Sequence, residues 1–265
     1  MDFLTWGWNP WNQAVPVHIS TDLLWISLLA GILSLFLHAC YKVLRRHRRG
    51  DPGELDRLEV TFTSLPERIP RHSLAARLFH WVMAGAMFVL LFTAFLPTVE
   101  VRFPWVAIHW IVGLVLTASI AFHIVHALLF LDFWSIWNAD AAPKPGKYSL
   151  PNRLYHFVMV VAALGVVPTG LFMMVRIQTP FFTRNPYLFS DSTWGYVYVL
   201  HGLAGTGLVG LVMAHVYFAL RPENLWITKS MLLGWITRRQ YLEHHDPCKW
   251  VVGVRRTEGA TRLRE

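Results

Sequence analysis

The amino-acid sequence predicts an all-α integral membrane protein with five transmembrane helices, four of which form a bundle. Hydrophobic residues make up 54% of the 265 residues and charged residues only 15%, whereas soluble domains contain about 25% charged residues. Mean hydropathy is +0.39, and five long stretches contain no Asp, Glu, Lys or Arg. These observations exclude a soluble enzyme and an intrinsically disordered chain.

The five uncharged stretches contain 19, 22, 29, 22 and 29 residues, and about 20 residues span the hydrocarbon core as a helix. Backbone polar groups in lipid must be satisfied within the segment, so each stretch is predicted to be helical. The first lacks the basic region and cleavage site of a signal peptide and is expected to be retained. In chain order the stretches are Leu23–Tyr41, Leu78–Val99, Phe103–Leu131, Leu154–Val175 and Ser192–Leu220.

The connections between these helices alternate in their content of basic residues. Three connections are basic, namely Tyr41–Arg77, Asp132–Arg153 and the tail after Leu220. Few Lys and Arg residues occur in the other two, Glu100–Arg102 and Arg176–Asp191. The positive-inside rule then predicts that the N-terminus lies outside and the C-terminus inside. The basic block Arg45–Arg49 is interpreted as an anchor against anionic membrane lipid, and nucleic-acid binding is not supported.

The sequence divides into three parts. Residues 1–72 form an N-terminal segment with the extra transmembrane helix and a basic cytoplasmic loop, 73–220 form the four-helix domain, and 221–265 form a cytoplasmic amphipathic tail. Within the tail, Asn224–Leu242 is predicted to be a helix along the inner interface. Trp6, Trp8 and Trp11 fit an outer aromatic belt or a docking surface.

Two histidines in the fifth helix, His201 and His215, predict two stacked haem groups. They are 14 residues apart, which is about 21 Å along a helix and within about 40° of the same face. Ionisable residues inside a membrane helix are costly, so each is a functional hypothesis. A single metal centre cannot use both, but two haems can, if another helix supplies a second axial histidine at each depth.

The predicted topology supplies the two missing ligands. The second helix starts inside, so His80 is expected at the inner depth with His215, whereas the third starts outside, so His109 is expected at the outer depth with His201. One turn after each histidine a small residue leaves room for a flat porphyrin. These four residues are Ala84, Gly113, Gly205 and Ala219.

A competing ligand and two other functions stay open at this stage. His123 is also 14 residues from His109 and could replace His80, although Gly85 and the segment Arg77–Trp81 favour His80. A haem-free membrane anchor would use its histidines structurally. A membrane di-iron oxygenase would leave His109 and His201 unexplained, and it would draw its ligands from His72, His123, His126, His156, His244 and His245.

Roughly residues 70–250 resemble the formate dehydrogenase gamma subunits, which are di-haem cytochromes b, and the related hydrogenase cytochrome b subunits. The matching segments are Arg77–Trp81, Ile108–His109, Gly146–Tyr148, Pro168–Gly170, His201–Gly205 with His215, Ser230–Gly234 and Glu243–His245. The resemblance implies the same ligand pairs, with His80 and His215 on the inner haem b and His109 and His201 on the outer haem b.

The resemblance also implies partners and a location. It implies a protein of the bacterial inner membrane, with a periplasmic N-terminus and a cytoplasmic C-terminus. This protein would carry electrons between the quinone pool and periplasmic iron–sulfur and catalytic subunits of molybdenum or nickel–iron type. No catalytic residue is expected in the chain itself. The first 70 residues depart from the four-helix pattern, so the identity of the catalytic partner stays open.

A quinone site is expected beside the inner haem, because a quinone needs a few polar partners in an apolar pocket. Ser149 and Asn152 stand where the family has an Asn and a Gln that bind quinone. His156 is a candidate proton relay, since imidazole titrates near neutral pH. With electrons arriving outside and protons taken up inside, turnover would be electrogenic. The candidate residues are Tyr148, Ser149, Asn152 and His156, beside Arg77 and Arg153.

Overall fold

The computed structural model describes residues 3–44, 52–131 and 144–252. Five of its helices are long and apolar enough to cross a membrane, which confirms the predicted all-α membrane architecture. The helices described are α1 (Thr21–Leu44), α2 (Pro52–Thr61), α3 (Leu74–Phe95), α4 (Trp105–Phe130), α5 (Leu150–Met174), α6 (Asp191–Leu220), α7 (Leu225–Leu233) and α8 (Arg238–His244). A short 3-10 helix, Leu96–Val99, extends α3.

Helices α3 to α6 form two tightly packed pairs. Helix α3 packs along α4, and α5 packs along α6, whereas contacts between the two pairs are sparse. A small apolar cluster of Ala86, Leu90 and Leu116 joins the first pair. In the second pair, a Cβ added to Gly165 would come 2.7 Å from the Cβ of Ala204. The bundle therefore has a loosely packed interior between two close helical hairpins.

Residues 3–20 fold against one end of the bundle, here called the hairpin end. Strands β1 (Leu4–Trp8) and β2 (Ala14–Ile19) form an antiparallel hairpin, and β2 packs against the first half of α6. This packing requires small residues on the helix, because a Cβ at Gly195 or Gly202 would collide with β2. The three N-terminal tryptophans stay exposed, namely Trp6, Trp8 and Trp11.

The opposite end of the bundle, called the tail end, carries a small unit formed by residues 52–72 and 221–252. Strands β3 (Arg68–Pro70) and β4 (Trp235–Thr237) pair antiparallel, and α2, α7 and α8 complete the unit. It has its own apolar core, which consists of Ile69, Ile236, Tyr241 and Leu242. This unit joins the residues that enter α3 to those that follow α6.

The structure divides the single interfacial helix predicted over Asn224–Leu242 into two short ones. Helix α7 ends at Gly234, which has a left-handed φ of 87° and donates its N–H to Ser230 O. The chain then continues as β4, whose pairing with β3 satisfies backbone groups that a continuous helix would satisfy internally. Helix α8 begins only after this strand.

The extra helix α1 lies outside the four-helix bundle, against α6. The Ser27 hydroxyl donates to Thr206 O at 3.0 Å, and His38 Nδ1 lies 2.9 Å from the Tyr217 hydroxyl. No residue of α1 is buried, so the helix does not contribute a core. The basic block Arg45–Arg49 lies outside the described residues.

Candidate functional site

The first pair of imidazoles, His109 and His201, lies toward the hairpin end of the bundle. Helix α4 supplies His109 and helix α6 supplies His201. Their ring centres are 6.2 Å apart and the ring planes are inclined by 70°. The sequence predicted this pair from the opposite directions of the two helices, and the structure brings the two side chains together.

Hydrogen bonds fix both rings of this first pair. The Thr93 hydroxyl lies 2.7 Å from His109 Nδ1 and also within hydrogen-bond distance of Val89 O, to which it donates. It therefore accepts the proton of His109 Nδ1. His201 Nδ1 lies 3.0 Å from the Thr169 hydroxyl and 3.1 Å from Val166 O. With Nδ1 protonated, each ring keeps the lone pair of Nε2 for a metal.

The second pair, His80 and His215, lies toward the tail end. Helix α3 supplies His80 and helix α6 supplies His215. Their ring centres are again 6.2 Å apart, with an inclination of 55°. The Tyr155 ring stacks on His215 at 5.3 Å, and its hydroxyl donates to Leu211 O at 3.1 Å. Stacking on Tyr155 therefore fixes the orientation of the His215 ring.

The competing ligand His123 has a different neighbour. It faces His156 of α5, with ring centres 6.4 Å apart, and the ring of Phe79 stacks on it at 4.3 Å. In this arrangement it is His80 that faces His215. From the sequence, His123 and His156 were grouped only in the di-iron interpretation.

The two predicted pairs fit a haem iron by their spacing. Imidazoles that bind one metal from opposite sides at about 2 Å have ring centres about 6 Å apart, and both pairs have this separation. There is also room one turn after His109 and His201, because a Cβ added to Gly113 or Gly205 would meet no atom within 4 Å. A flat macrocycle can therefore approach these helices.

Two arginines at the tail end of the bundle fit the carboxylates of a haem. Arg77 lies one turn before His80 in α3, and Arg153 lies in the first turn of α5. The Nε atoms of both arginines and Nη1 of Arg153 are buried without a hydrogen-bond partner among the described residues. Buried cationic nitrogens are unfavourable unless an anion compensates them, so the residues present suit a ligand that carries negative charge.

The candidate quinone residues lie at the start of α5. Ser149 precedes the first residue of the helix, and Asn152 and His156 follow at spacings of three and four residues, which places all three on one face. Asn152 is exposed, whereas His156 is half-buried. Before the helix, burial raises the pKa of Tyr148 and lowers the pKa of Lys147 to about 8, with a smaller contribution from Arg71.

The histidines of the di-iron interpretation do not gather into one metal site, although His123 and His156 face each other. Among the described residues no three His, Cys, Asp or Glu side chains are placed to hold one metal ion. His126 stacks on Phe122, and His244 stacks on Trp226 in the tail unit with ring centres 4.4 Å apart. The described structure therefore contains no ligand cluster for a di-iron centre.

Comparison with known proteins identifies the family. A family model described as prokaryotic cytochrome b561 matches residues 71–234. The chain belongs to this family. It is thus a membrane cytochrome b, an electron-transport protein that carries haem b. The family and the five apolar helices place this cytochrome b in the inner membrane as a multi-pass protein.

Two curated relatives confirm the resemblance to formate dehydrogenase gamma subunits. The cytochrome b is 25% identical to the formate dehydrogenase cytochrome b556 subunit of Escherichia coli strain K12, over 72% of this chain and 95% of the relative. It is 26% identical to the formate dehydrogenase cytochrome b556 subunit of Haemophilus influenzae, over 67% of this chain and 81% of the relative.

Sequence reasoning missed the residues that orient the imidazoles. Thr169 and Gly170 stand in the segment Pro168–Gly170, which matched the family. The match marked these two residues as notable but did not indicate what they do. The structure supplies the role, because Thr169 bonds His201 and a Cβ on Gly170 would come 3.2 Å from the His201 ring. Thr93 gave no signal, since only the packing of α3 on α4 brings it to His109.

Proposed function

We propose that this cytochrome b holds two haem b groups and is the membrane subunit of a respiratory oxidoreductase. His109 and His201 would bind one haem, and His80 and His215 the other. The observation that carries the proposal is the presence of two imidazole pairs with the same 6.2 Å spacing. In both pairs one ligand comes from α6, so a single helix would connect the two sites.

The residues of the chain would hold and orient the two groups, and the groups would supply one-electron carriers at two depths of the membrane. Thr93 and Thr169 would keep the Nε2 atoms of His109 and His201 as ligands, through their bonds to Nδ1. Arg77 and Arg153 would neutralise the carboxylates of the tail-end haem, because their buried nitrogens require an anion.

The partners would be periplasmic iron–sulfur and catalytic subunits. The two relatives are named as formate dehydrogenase subunits, which supports a catalytic partner of the molybdenum type, and a nickel–iron partner fits the wider resemblance. The basic connections at the tail end favour a cytoplasmic location for that end and a periplasmic location for the hairpin end. Electrons would then pass from the hairpin end to the tail end.

The quinone would react at the tail end, on the face of α5 that carries Ser149, Asn152 and His156. The exposure of Asn152 supports a site that a lipid-soluble molecule can enter from the side. Asn152 and Ser149 would donate hydrogen bonds to the quinone oxygens, and His156 would exchange a proton with them. Proton uptake on the cytoplasmic side would make turnover electrogenic.

The test of this function is a reduced-minus-oxidised optical spectrum of the purified protein with chemical quantitation of haem. We expect a reduced b-type α band and two haems per chain. A sample without the band would support a membrane anchor that binds no haem. A measured content of one haem per chain in fully loaded protein would overturn the proposal of two sites.

A further inference from the structure

A buried arginine, Arg71, connects the end of β3 to the loop that precedes α5. Only 4% of Arg71 is exposed, and its Nη2 donates to Lys147 O at 3.2 Å. Its Nη1 donates to Nε2 of His245 at 2.8 Å. Arg71 therefore contacts two segments that are far from it in the sequence, and both contacts use the same guanidinium group.

His245 completes the connection from the other side. Only 3% of it is exposed. Because its Nε2 accepts from Arg71, its Nδ1 carries the proton and donates to Gly146 O at 2.7 Å. Burial, with a smaller contribution from the Arg71 charge, lowers the pKa of His245 to about 4, which keeps the ring neutral at physiological pH.

Three consecutive carbonyl groups of the loop are held in this way. The backbone N–H of Asp246 donates to Pro145 O at 2.9 Å, His245 bonds Gly146 O, and Arg71 bonds Lys147 O. The loop also lies close to the tail backbone, because a Cβ added to Gly146 would come 3.4 Å from Lys249 O. Residues 145–147 are thus fixed by side chains and backbone of the tail unit.

The Arg71 guanidinium is enclosed by aromatic rings. The Cζ atom of Arg71 lies 5.2 Å from the Trp226 ring centre and 5.4 Å from that of Trp250. Among the described residues no carboxylate forms a salt bridge with Arg71. A buried cation depends on its hydrogen bonds when no counter-ion is present. The bonds from Arg71 to His245 and to Lys147 O therefore restrain the positions of these two residues.

We propose that Arg71 and His245 are positioning residues of the quinone site. They fix residues 145–147, and thereby place Tyr148 and Ser149 at the start of α5. The inference rests on the proposed function, because it takes the start of α5 to be the quinone site. Neither residue is expected to bind haem or exchange protons with quinone.

Substitutions of His245 in the complete complex test this role. Glutamine can donate to Gly146 O and accept from Arg71, so His245→Gln should keep the loop in place, whereas His245→Leu removes both bonds. We expect the leucine variant to raise the KM for quinone about tenfold, the effect of about 1.4 kcal/mol of lost binding. Haem content and reduction of an artificial electron acceptor should stay at wild-type levels.

His244→Leu is the matched control, because His244 lies in the same unit and stacks on Trp226 but does not bond the loop. Hydrogen exchange of the peptide containing residues 144–149 is the second measurement. It should accelerate in His245→Leu and stay at wild-type rates in His245→Gln and His244→Leu. The exchange rate then shows whether low quinone activity in a variant is accompanied by loosening of residues 144–149.

Unchanged exchange of residues 144–149 in His245→Leu would overturn the positioning role, whatever the quinone kinetics. An equal rise in KM for His245→Gln and His245→Leu would overturn it as well. Faster exchange in His245→Leu, together with full quinone turnover in Asn152→Ala and His156→Phe, would show that the loop is held as proposed but that the quinone reacts elsewhere.

Discussion

At the scale of single residues, the two imidazole pairs are oriented by different means. His109 and His201 are held through Nδ1 by threonine hydroxyls and a backbone carbonyl, whereas His215 is held by the stacked ring of Tyr155. A hydrogen bond to Nδ1 fixes both the tautomer and the direction of Nε2. We therefore regard the hairpin-end pair as the more rigidly preorganised of the two.

The haem assignments can be tested one ligand at a time. We expect His201→Ala to remove only the hairpin-end haem, and His80→Ala or His215→Ala to remove only the tail-end haem, because each site would lose one of the two histidines that would hold its haem. Haem quantitation and low-temperature optical spectra of membranes would measure the loss. His126→Ala serves as a control, since His126 stacks on Phe122 and is not a member of either pair.

Substitution of His123 gives the result that would contradict these assignments most directly. The described geometry places His123 next to His156 and Phe79 rather than next to His215. If His80→Ala kept two haems while His123→Ala lost one, the pairing of His80 with His215 would be wrong.

The quinone residues are tested by variants that leave the haems in place. We expect Asn152→Ala and His156→Phe each to lower quinone-linked turnover about tenfold or more, because each removes a polar partner from an apolar site. Quinone-linked activity in proteoliposomes, normalised to haem content, is the measurement. Gln178→Ala, at the hairpin end, should have wild-type turnover, and full activity in both test variants would place the quinone elsewhere.

At the scale of helices and strands, glycine decides where elements pack closely and where one ends. Gly165 lets α5 approach α6, and Gly195 lets β2 lie on α6, since an added Cβ would collide in both places. Gly234 has a different role, because its φ of 87° is unfavourable for any residue with a side chain. It ends α7 and turns the chain into β4.

Replacement of Gly234 by alanine should loosen the tail unit. The left-handed conformation costs an L-residue about 1–2 kcal/mol, and the new Cβ would also lie 3.0 Å from His72 O. We expect faster proteolysis of residues 221–252 and a lower thermal midpoint. Gly207→Ala makes the same change in an open position of α6 and should be neutral or slightly stabilising.

At the scale of the whole molecule, the two ends of the bundle are chemically different. The hairpin end carries exposed aromatic side chains, including Trp8 and Trp11, whereas the tail end carries a folded unit with its own core and several buried or half-buried basic residues. The bundle between them is apolar on its outer surface. This difference between the ends is consistent with the proposed exchange of electrons with a partner at one end and with quinone at the other.

The orientation proposed from the basic connections can be measured with reporter fusions. We predict that alkaline phosphatase is active when inserted between residues 176 and 190, and that green fluorescent protein fluoresces when fused to the C-terminus. The physical reason is retention of Lys- and Arg-rich connections in the cytoplasm. The reversed pattern of the two reporters would refute an N-terminus in the periplasm and a C-terminus in the cytoplasm.

The sequence by itself determined the spanning helices and the choice of candidate ligands. Backbone polar groups in the hydrocarbon core must form hydrogen bonds within the segment. An uncharged stretch that is long enough to span the core is therefore expected to be a transmembrane helix. Helical periodicity then places His201 and His215 on one face. Alternating helix directions bring His109 to the depth of His201, and either His80 or His123 to the depth of His215. These inferences need no knowledge of how side chains pack.

Only the tertiary structure decided the contacts made between distant segments at the ends of the bundle. Nothing local in the sequence places Thr93 on His109, pairs β3 with β4, or joins Arg71 and His245 to the loop before α5. The stretch Asn224–Leu242 has an amphipathic pattern, yet pairing with β3 and the conformation of Gly234 interrupt the helix. Outside the hydrocarbon, backbone groups can also bond water or distant side chains, so local pattern no longer selects one structure and long-range packing does.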